Sequence, residues 1–378
     1  MATEVVVVGA GYAGTGVVKA LQSDPSIDLT WISDSSHHIV KHEIHRVIRS
    51  PSVADKLTIP VDRIRTNRVT FREDRMVGID PIAQVIRLQS KEQVAYDYLV
   101  VTVGAKPAYY SIPGLEGNSQ PLAGVEDALE INAALHQLFA TDGSRVVIGG
   151  GGLTGVQVAG EIEALARAAE ANVEIILIEA LDTILSNCHQ SLRERIHRTL
   201  EYRGISVMTG TPIVEATKDS VILQEDQEIP AELIIWTGGI TGSTVNDDIP
   251  LELIRNRIQV DNTLQSSDEH VFALGDIAYL DQENKPIPPT AQAAWQAAPV
   301  AAKNVQASIA GRPLTPWSFN DKGTVVSVGD SAFAHGIPGS GGKTIGSLPA
   351  TFLKKAIAAR WIGGVSSWRR AAFSWSAL

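Results

Sequence analysis

The chain has 378 residues, of which 44% are hydrophobic and 20% charged, so it is long enough for two to three globular domains. The formal net charge of -10 argues against a general nucleic-acid-binding protein, and we expect no nucleic-acid partner. The single cysteine, Cys188, excludes disulfide scaffolds, zinc sites built from thiolates and C-x-x-C redox chemistry, and it favours a reducing compartment. No signal peptide and no run of about 18 apolar residues is expected from the sequence.

The first predicted strand leads directly into a glycine-rich loop. Val5–Val8 is a run of four β-branched residues, typical of a buried parallel strand, and Gly9–Gly14 follows with G-x-G-x-x-G spacing. In such a loop the first glycine permits a tight turn, the second lets the backbone approach a pyrophosphate, and the third lets the next helix pack closely. We therefore predict a dinucleotide site at the N-terminus of a helix that runs from Thr15 to about Ser23.

The second predicted strand ends in an acidic residue. Asp34 lies about 20 residues past the loop, where a carboxylate binds a ribose hydroxyl, and Ser33 is a second candidate. The alternative is that Asp34 only begins a turn.

Four histidines crowd the next segment beside Glu43, namely His37, His38, His42 and His45. Imidazole and carboxylate are transition-metal ligands, but this spacing fits no usual zinc signature. Histidines that are structural or that line a flavin are therefore favoured, and we predict no metal site.

Two stretches complete the first predicted unit. Val69 to Leu88 alternates apolar and polar residues, as a short antiparallel β-layer does. Tyr98–Ala105 is a buried strand that ends in small residues, which would let a cofactor approach the sheet edge. Ile112–Leu115 is rich in turn residues and predicts a crossing into a new domain.

The pattern then repeats. Gly150–Gly155 has the same glycine spacing as the first loop, follows the strand Arg145–Gly149, and is followed by a helix predicted to about Glu170. The next strand ends in Glu179, and a carboxylate there accepts the ribose hydroxyls and repels a 2′-phosphate, which favours NAD(H) over NADP(H). Two such fingerprints predict a protein that binds two dinucleotides.

Two further strands also end in small residues. Leu233–Gly239 would complete the second unit. His270–Asp276 ends in Gly-Asp, where an amide and a carboxylate suit a ribityl hydroxyl and a nearby pyrophosphate. The alternative is that Asp276 only caps the next helix.

The order of these pieces resembles the pyridine nucleotide–disulfide oxidoreductase superfamily of flavoproteins. The resemblance rests on both glycine loops, Thr102–Ala105, Glu179, Thr237–Gly239 and Phe272–Asp276, and spans roughly residues 4 to 300. It implies an α/β fold with two Rossmann-like dinucleotide-binding domains, in which an NAD domain is inserted into a split FAD domain. The predicted bounds are 1–117 and 247–325 for the FAD domain, 118–246 for the NAD domain, and 326–378 for a C-terminal membrane-associating region.

The resemblance also implies the ligands of each site. It assigns FAD to Gly9, Ala10, Gly11, Tyr12, Ala13, Gly14, Ser33, Asp34, Val77, Thr102, Gly104, Ala105, Gly275, Asp276 and Ala293. It assigns NADH to Gly150, Gly152, Leu153, Thr154, Gly155, Glu179, Gly238 and Gly239.

One sub-branch of the superfamily is indicated by the segment Pro289–Ala298. Its A-Q-x-x-x-Q sequence resembles the quinone-site motif of type II NADH dehydrogenases, and Gln292 and Gln296 share one helix face at i, i+4. Ser318–Thr324 and Leu348–Ala350 also resemble that sub-branch. The resemblance implies hydride transfer from NADH to FAD and two-electron transfer to a membrane quinone held by the two glutamines, without proton pumping. The alternative is an ordinary alanine-rich packing helix with solvated glutamines.

Three features depart from that sub-branch. Gln157 stands where a glutamate commonly follows the second loop, which puts in doubt any role that needs a carboxylate beside the nicotinamide. Ser33 and Asp34 shift the ribose-binding acid by about one residue, and the histidine-rich segment is the third departure.

The C-terminal segment, Thr351 to Leu378, interleaves five bulky aromatic residues with five basic ones, and no acidic residue follows Asp330. Tryptophans at interfaces and basic residues near anionic lipid favour a peripheral anchor on the cytoplasmic face of the cell membrane. Lys355 and Arg360 fall among apolar positions and Gly363–Gly364 interrupts the run, so a homodimer contact or a tail packed on the FAD domain stays open.

Three other functions were weighed. A sulfide:quinone reductase requires catalytic cysteines, and one is too few. A soluble ferredoxin-reductase-like flavoprotein and a nucleotide-binding redox sensor without turnover stay open as alternatives.

Overall fold

Two parallel sheets organise the computed structural model, which describes residues 2–242, 250–346 and 348–375. The strands of the first sheet are, in spatial order, Val271–Ala273, Tyr98–Val101, Thr3–Val8, Ile27–Ser33 and Val69–Glu73. Those of the second are Gln120–Pro121, Leu233–Trp236, Ser144–Gly149, Val173–Glu179 and Ser206–Thr209. In each sheet the strand that precedes a glycine loop is central, because its β-branched residues are buried on both faces.

The second sheet is inserted into the first. The edge strand Val271–Ala273 of the first sheet follows every strand of the second sheet in the chain. Where the chain crosses between them, Ala105–Pro107 pairs antiparallel with Ile240–Gly242. The bounds given above for each domain stay predictions, and the one between 246 and 247 lies outside the described residues.

Smaller sheets flank both units, and their strands pair antiparallel except for Arg257–Gln259 with Ala278–Tyr279, which pair in parallel. The antiparallel layer predicted for Val69 to Leu88 is partly wrong, because Val69–Glu73 pairs in parallel with Ile27–Ser33. The three-stranded sheets comprise Met76–Asp80, Val85–Leu88 and Gln93–Ala95; Ile213–Ala216, Ser220–Leu223 and Glu228–Pro230; Leu253–Ile254, Arg257–Gln259 and Ala278–Tyr279; and Thr324–Val328, Ser331–His335 and Ile345–Gly346. The two-stranded ones comprise His37–Ile39 with Thr58–Pro60, and Asp281–Gln282 with Lys285–Pro286.

The helices in the described residues are α1 (Tyr12–Leu21), α2 (His45–Arg49), α3 (Ala54–Leu57), α4 (Leu115–Asn118), α5 (Val125–Leu138), α6 (Leu153–Ala168), α7 (Gln190–Tyr202), α8 (Ala291–Ile309), α9 (Leu348–Val365) and α10 (Trp368–Trp375). Helix α1 packs on α8 at very short range, since a Cβ on Gly16 would lie 2.5 Å from that of Ala298. Most alanines of α8 are thus buried packing residues, as the alternative of an alanine-rich packing helix predicted.

The C-terminal segment folds onto the first unit. Helix α9 buries Ala358, Trp361, Ile362 and Val365 in the main core, and in α10 the Ser374 hydroxyl donates to the Lys56 carbonyl at 2.8 Å. One face of the predicted membrane anchor is therefore protein core. Within the described residues, we find no helix of the length and apolarity that a membrane crossing requires.

Candidate functional site

The first glycine loop has a backbone that only glycine accommodates. Gly9 has φ of +109°, and a Cβ there would lie 2.4 Å from the Thr102 carbonyl oxygen. A Cβ on Gly14 would lie 2.0 Å from the Gly9 carbonyl oxygen, whereas one on Gly11 would meet nothing within 4 Å. The loop is thus tightly packed on its inner side and open at Gly11, where a ligand can approach the backbone.

Helix α1 begins at this opening with its first amide groups uncapped. Its N-cap is Gly11, and no side chain bonds to the first turn, which also lacks acidic residues. The unsatisfied amides and the helix dipole favour an anion there.

The ends of neighbouring strands line the same opening. The Thr102 hydroxyl donates to the Val8 carbonyl at 2.6 Å, and a Cβ on Gly275 would lie 3.2 Å from that of Ala13. Asp276 follows directly; burial raises the pKa of its carboxyl, while the charges of Lys41 and Arg257 act in the opposite direction. A buried carboxylate thus lies close to the uncapped start of α1.

The second glycine loop repeats this geometry. Gly150 has φ of +104°, and a Cβ on Gly155 would lie 1.9 Å from the Gly150 carbonyl oxygen. The Thr237 hydroxyl donates to that same oxygen at 2.9 Å, in the position that Thr102 has in the first loop. Helix α6 begins at Gly152 without a side-chain cap, and a Cβ on Gly152 would meet nothing within 4 Å. Two uncapped helix N-termini with the same loop geometry therefore follow the central strands of the two sheets.

The acidic residues that follow the two loops differ. The Glu179 carboxylate lies on its loop and accepts from the amides of Gly151 at 2.7 Å and Leu181 at 2.9 Å. Asp34 is 61% exposed and lies 3.6 Å from Arg75, whereas Ser33 is buried. The Glu179 carboxylate is therefore held against its glycine loop, whereas the Asp34 carboxylate is more loosely held, and the ribose-binding role of either stays a prediction.

A buried polar cluster joins the two units to the C-terminal segment. The Lys354 ammonium of α9 donates to Ser327 Oγ at 2.7 Å and to Gln157 Oε1 at 3.0 Å, and it lies 3.0 Å from His45 Nε2. Gln157 is thus held by a lysine from the far end of the chain.

The carboxylate nearest this ammonium comes from the histidine-rich segment. Glu43 is 1% exposed, and its Oε2 lies 3.5 Å from Lys354 Nζ and 3.7 Å from Arg46 Nη1. Burial lowers the pKa of the Lys354 amine, and the charge of Glu43 opposes that shift. One turn beyond Gln157 on α6, Glu161 pairs with Arg49 at 2.9 Å.

Gln292 and Gln296 share one face of α8, as predicted, and bind a loop of the same chain. Gln292 accepts from the Lys322 amide at 2.6 Å and donates to the Gly323 carbonyl at 3.2 Å. Gln296 makes the equivalent pair of bonds with Asn320 and also donates to Gln292 Oε1 at 3.2 Å. Both half-buried glutamines therefore position the loop 320–323 through bonds that water can reach, and the packing-helix alternative stays open.

The four histidines serve separate contacts. His38 is fully buried and lies 2.8 Å from the Ala10 carbonyl oxygen, His42 bonds to the Tyr12 hydroxyl, and His45 belongs to the Lys354 cluster. His37 is exposed. Among the residues that the structure describes, no three His, Cys, Asp or Glu side chains are grouped as metal ligands would be.

A profile described as pyridine nucleotide-disulphide oxidoreductase matches residues 3–298. The chain belongs to this family. The Type II NADH:quinone oxidoreductase of Staphylococcus saprophyticus is 28% identical over 96% of this chain and 96% of its own length. That of Haemophilus influenzae is 32% identical over 68% of this chain and 66% of its length. These relatives confirm the resemblance that the glycine loops and the A-Q-x-x-x-Q motif predicted.

Two solved structures share the fold. NDH2 from Plasmodium falciparum in complex with NADH has a TM-score of 0.85 at 16% identity, over 100% of this chain and 97% of that chain. The sulfide:quinone oxidoreductase of Aquifex aeolicus has a TM-score of 0.83 at 19% identity, over 96% and 91%. The predicted α/β fold with two parallel, Rossmann-like sheets is thus confirmed, and the membrane-associating role of the C-terminal segment stays a prediction.

The remaining predicted site residues of this oxidoreductase lie near the two loops to different degrees. Gly238 contacts the second loop, since a Cβ on Gly150 would lie 2.5 Å from the Gly238 Cα. Leu153 and Thr154 are exposed in the first turn of α6, and Ala293 is buried in α8. Val77 lies half-buried in a flanking strand, outside the contacts that join the loops and strand ends.

Sequence reasoning missed Lys354 and the partner of His38. Lys354 shares the buried face of α9 with Ala350, Ala358 and Trp361 at helical spacing, whereas the sequence pointed to Lys355 and Arg360 as the misplaced charges. The helical spacing could have predicted that Lys354 is buried, but it does not predict which residues of other elements contact its ammonium group.

Proposed function

We propose that the chain is an FAD-dependent enzyme of the type II kind, which oxidises NADH and reduces a membrane quinone. The observation that carries the proposal is the repeated loop geometry, with an open glycine and an uncapped helix N-terminus at both Gly11 and Gly152. The full-length relatives named Type II NADH:quinone oxidoreductase support the choice of donor and acceptor.

The residues present fit the two nucleotides. The amides of α1 and the carboxylate of Asp276 would hold the pyrophosphate and a hydroxyl of FAD, and those of α6 with Glu179 would hold NADH. FAD, when bound, supplies the hydride acceptor and the two-electron donor, so the chain's own task is to position both nucleotides.

Gln157 accepts a hydrogen bond from a titratable group, the Lys354 ammonium. Reduction of a quinone to a quinol consumes two protons, and Lys354 holds protons at Nζ next to the Gln157 amide. Because residue 157 is glutamine, the buried Lys354 ammonium is paired with the Glu43 carboxylate, and position 157 adds no second carboxylate beside it. Gln157 then acts by hydrogen bonding and carries no charge.

The two glutamines of α8 would form the quinone side of the site through the loop that they hold. Their four bonds to the backbone of residues 320–323 fix that segment against the N-terminal turns of α8. A quinone head group would approach the amide face and the small residues around it.

The proposal is tested by separating its two half-reactions. Purified protein is reconstituted with FAD, mixed anaerobically with NADH while the flavin absorbance is followed, and then given a short-chain quinone. We expect rapid bleaching followed by reoxidation and steady-state turnover. Bleaching without reoxidation by any quinone would favour the redox sensor, and transfer to a ferredoxin but not to quinone would favour the soluble reductase.

Gln292→Leu should slow quinone reduction while leaving flavin reduction by NADH nearly intact. The leucine removes the bonds to residues 322 and 323 and the one accepted from Gln296, and we expect the loss of these hydrogen bonds to slow the second half-reaction roughly tenfold or more. Stopped-flow rates of each half-reaction decide the result. Gln306→Leu is the matched control. Gln306 lies on another part of α8 and donates to Asp24, which follows α1. Equal loss in both half-reactions would count against this assignment.

The outer face of α9 and α10 is proposed as the membrane-docking surface on the cytoplasmic side. Leu348 is 82%, Phe352 63% and Trp368 67% exposed, and the exposed Arg360 and Arg369 lie on the same helices. Apolar side chains between basic ones suit the boundary of an anionic bilayer.

Trp368→Glu should weaken binding to anionic vesicles. The change removes a large aromatic side chain and adds a negative charge, so we expect roughly tenfold less binding to vesicles of phosphatidylglycerol and phosphatidylcholine in a sedimentation assay. Tyr202→Glu is the control, because Tyr202 is 92% exposed on α7. If both variants sediment like the unaltered protein, the docking surface lies elsewhere. If the unaltered protein oligomerises through this face, the homodimer alternative is favoured.

A further inference from the structure

A hydrogen-bonded chain runs from the C-terminal helix to the first glycine loop. Trp361 Nε1 of α9 donates to His38 Nε2 at 2.8 Å, and His38 Nδ1 lies 2.8 Å from the Ala10 carbonyl oxygen. Trp361 is 2% exposed and His38 is fully buried, so neither bond competes with water.

The chemistry of the three groups settles the direction of both bonds. An indole N–H can only donate, so His38 Nε2 is the acceptor and carries no proton. In the neutral ring the proton is then on Nδ1, which donates to the Ala10 carbonyl. Burial lowers the pKa of His38 to about 4, and the bond to Ala10 opposes that shift, so the ring is neutral at physiological pH.

Aromatic contacts hold the same helix against the loop a second time. The ring of Tyr12, the second residue after Ala10, lies 4.8 Å from that of Trp361 between centroids, and the Tyr12 hydroxyl bonds to His42. Trp295 of α8 meets Trp361 edge-to-face at 4.9 Å. Rings from α1, α8 and α9 thus pack together where the glycine loop enters α1.

We propose that Trp361, acting through His38, is a positioning residue of the FAD site, so that α9 is required for tight FAD binding. The bond to Ala10 fixes a carbonyl between Gly9 and Gly11, and therefore the direction of the amides that would face the pyrophosphate. This inference rests on the proposed assignment of FAD to the first loop. It also connects the proposed membrane-docking face to the cofactor site, because Trp361 and part of that face belong to α9.

The experiment measures the affinity of the apoprotein for FAD by quenching of flavin fluorescence. Trp361→Phe keeps the ring but removes the N–H donor, and His38→Leu removes both ring nitrogens. We expect Trp361→Phe, which breaks one buried hydrogen bond, to weaken FAD binding about tenfold, and His38→Leu, which breaks two, to weaken it at least as much. The double variant should lose no more than His38→Leu alone, since both changes break one chain. His38→Gln can donate to Ala10 and accept from Trp361, and it should retain most of the affinity.

Two controls separate positioning from a general loss of structure. Tyr202→Phe alters an exposed aromatic residue of α7 and should bind FAD like the unaltered protein. The affinity of each apoprotein for NADH reports on the second loop, which the chain from Trp361 does not reach, and should not change.

The outcomes distinguish the inference from the proposed function. If Trp361→Phe binds FAD as tightly as the unaltered protein, or if affinity for FAD and NADH falls in equal proportion, the inference is overturned and the proposed function stands. If the unaltered chain takes up no FAD, both are overturned.

Discussion

Gly14→Ala should strongly weaken FAD binding, whereas Gly155→Ala should leave FAD bound and strongly impair its reduction by NADH. In each variant the new Cβ would lie 2.0 Å or 1.9 Å from a backbone carbonyl oxygen, that of Gly9 or Gly150. Neither oxygen can retreat, because Trp31 Nε1 donates to the first at 2.9 Å and Thr237 Oγ1 to the second at the same distance. Overpacking costs about 1–3 kcal/mol even where side chains can move, so we expect affinity to fall about 100-fold.

The measurement is flavin absorbance of the purified variants, before and after anaerobic addition of NADH. Gly117→Ala is the control, since a Cβ there would meet nothing within 4 Å. The pair also tests which loop serves which nucleotide. A Gly155→Ala protein that emerges without flavin, beside a yellow Gly14→Ala protein, would reverse the assignment.

The features that the sequence predicted depend on residues close together in the chain. The glycine spacing specifies a strand, a turn and a helix within about ten residues, and each glycine is needed for a reason that its own neighbours supply. Both loops and the two parallel sheets were therefore predicted correctly. Glu179 follows the same logic, because it ends the strand beside its loop.

What was missed depends on contacts between distant segments. Lys354 lies 197 residues from Gln157, and Trp361 lies 323 residues from His38. Neither residue belongs to a motif, and no local periodicity names the partner. The sequence favoured structural or flavin-lining histidines but could not give their partners for the same reason, since these are the glycine loop and α9. The glutamines of α8 were placed on one face correctly, but the loop that they bind is 24 to 31 residues away.

Lys354→Met should destabilise the protein by about 3 kcal/mol, at the lower end of the cost of breaking a buried ion pair. Methionine fills a similar volume, so the main loss is the ammonium that Ser327, His45 and Gln157 bind and that offsets the Glu43 carboxylate. Arg46, at 3.7 Å from Glu43, still offsets part of that charge, which is why we do not expect the full range.

Urea unfolding of the holoprotein measures the difference, with Lys355→Met as the matched control on the half-buried neighbouring residue. Changing a surface residue of this kind usually shifts stability by less than about 0.5 kcal/mol. The double variant Glu43→Gln with Lys354→Met removes both charges and should recover much of the loss. Simple additivity of the two single variants would show that the pair is not coupled. Since Glu43, Gln157, Ser327 and Lys354 come from four separate parts of the chain, coupling would mean that the C-terminal helix stabilises the junction of both nucleotide-binding units.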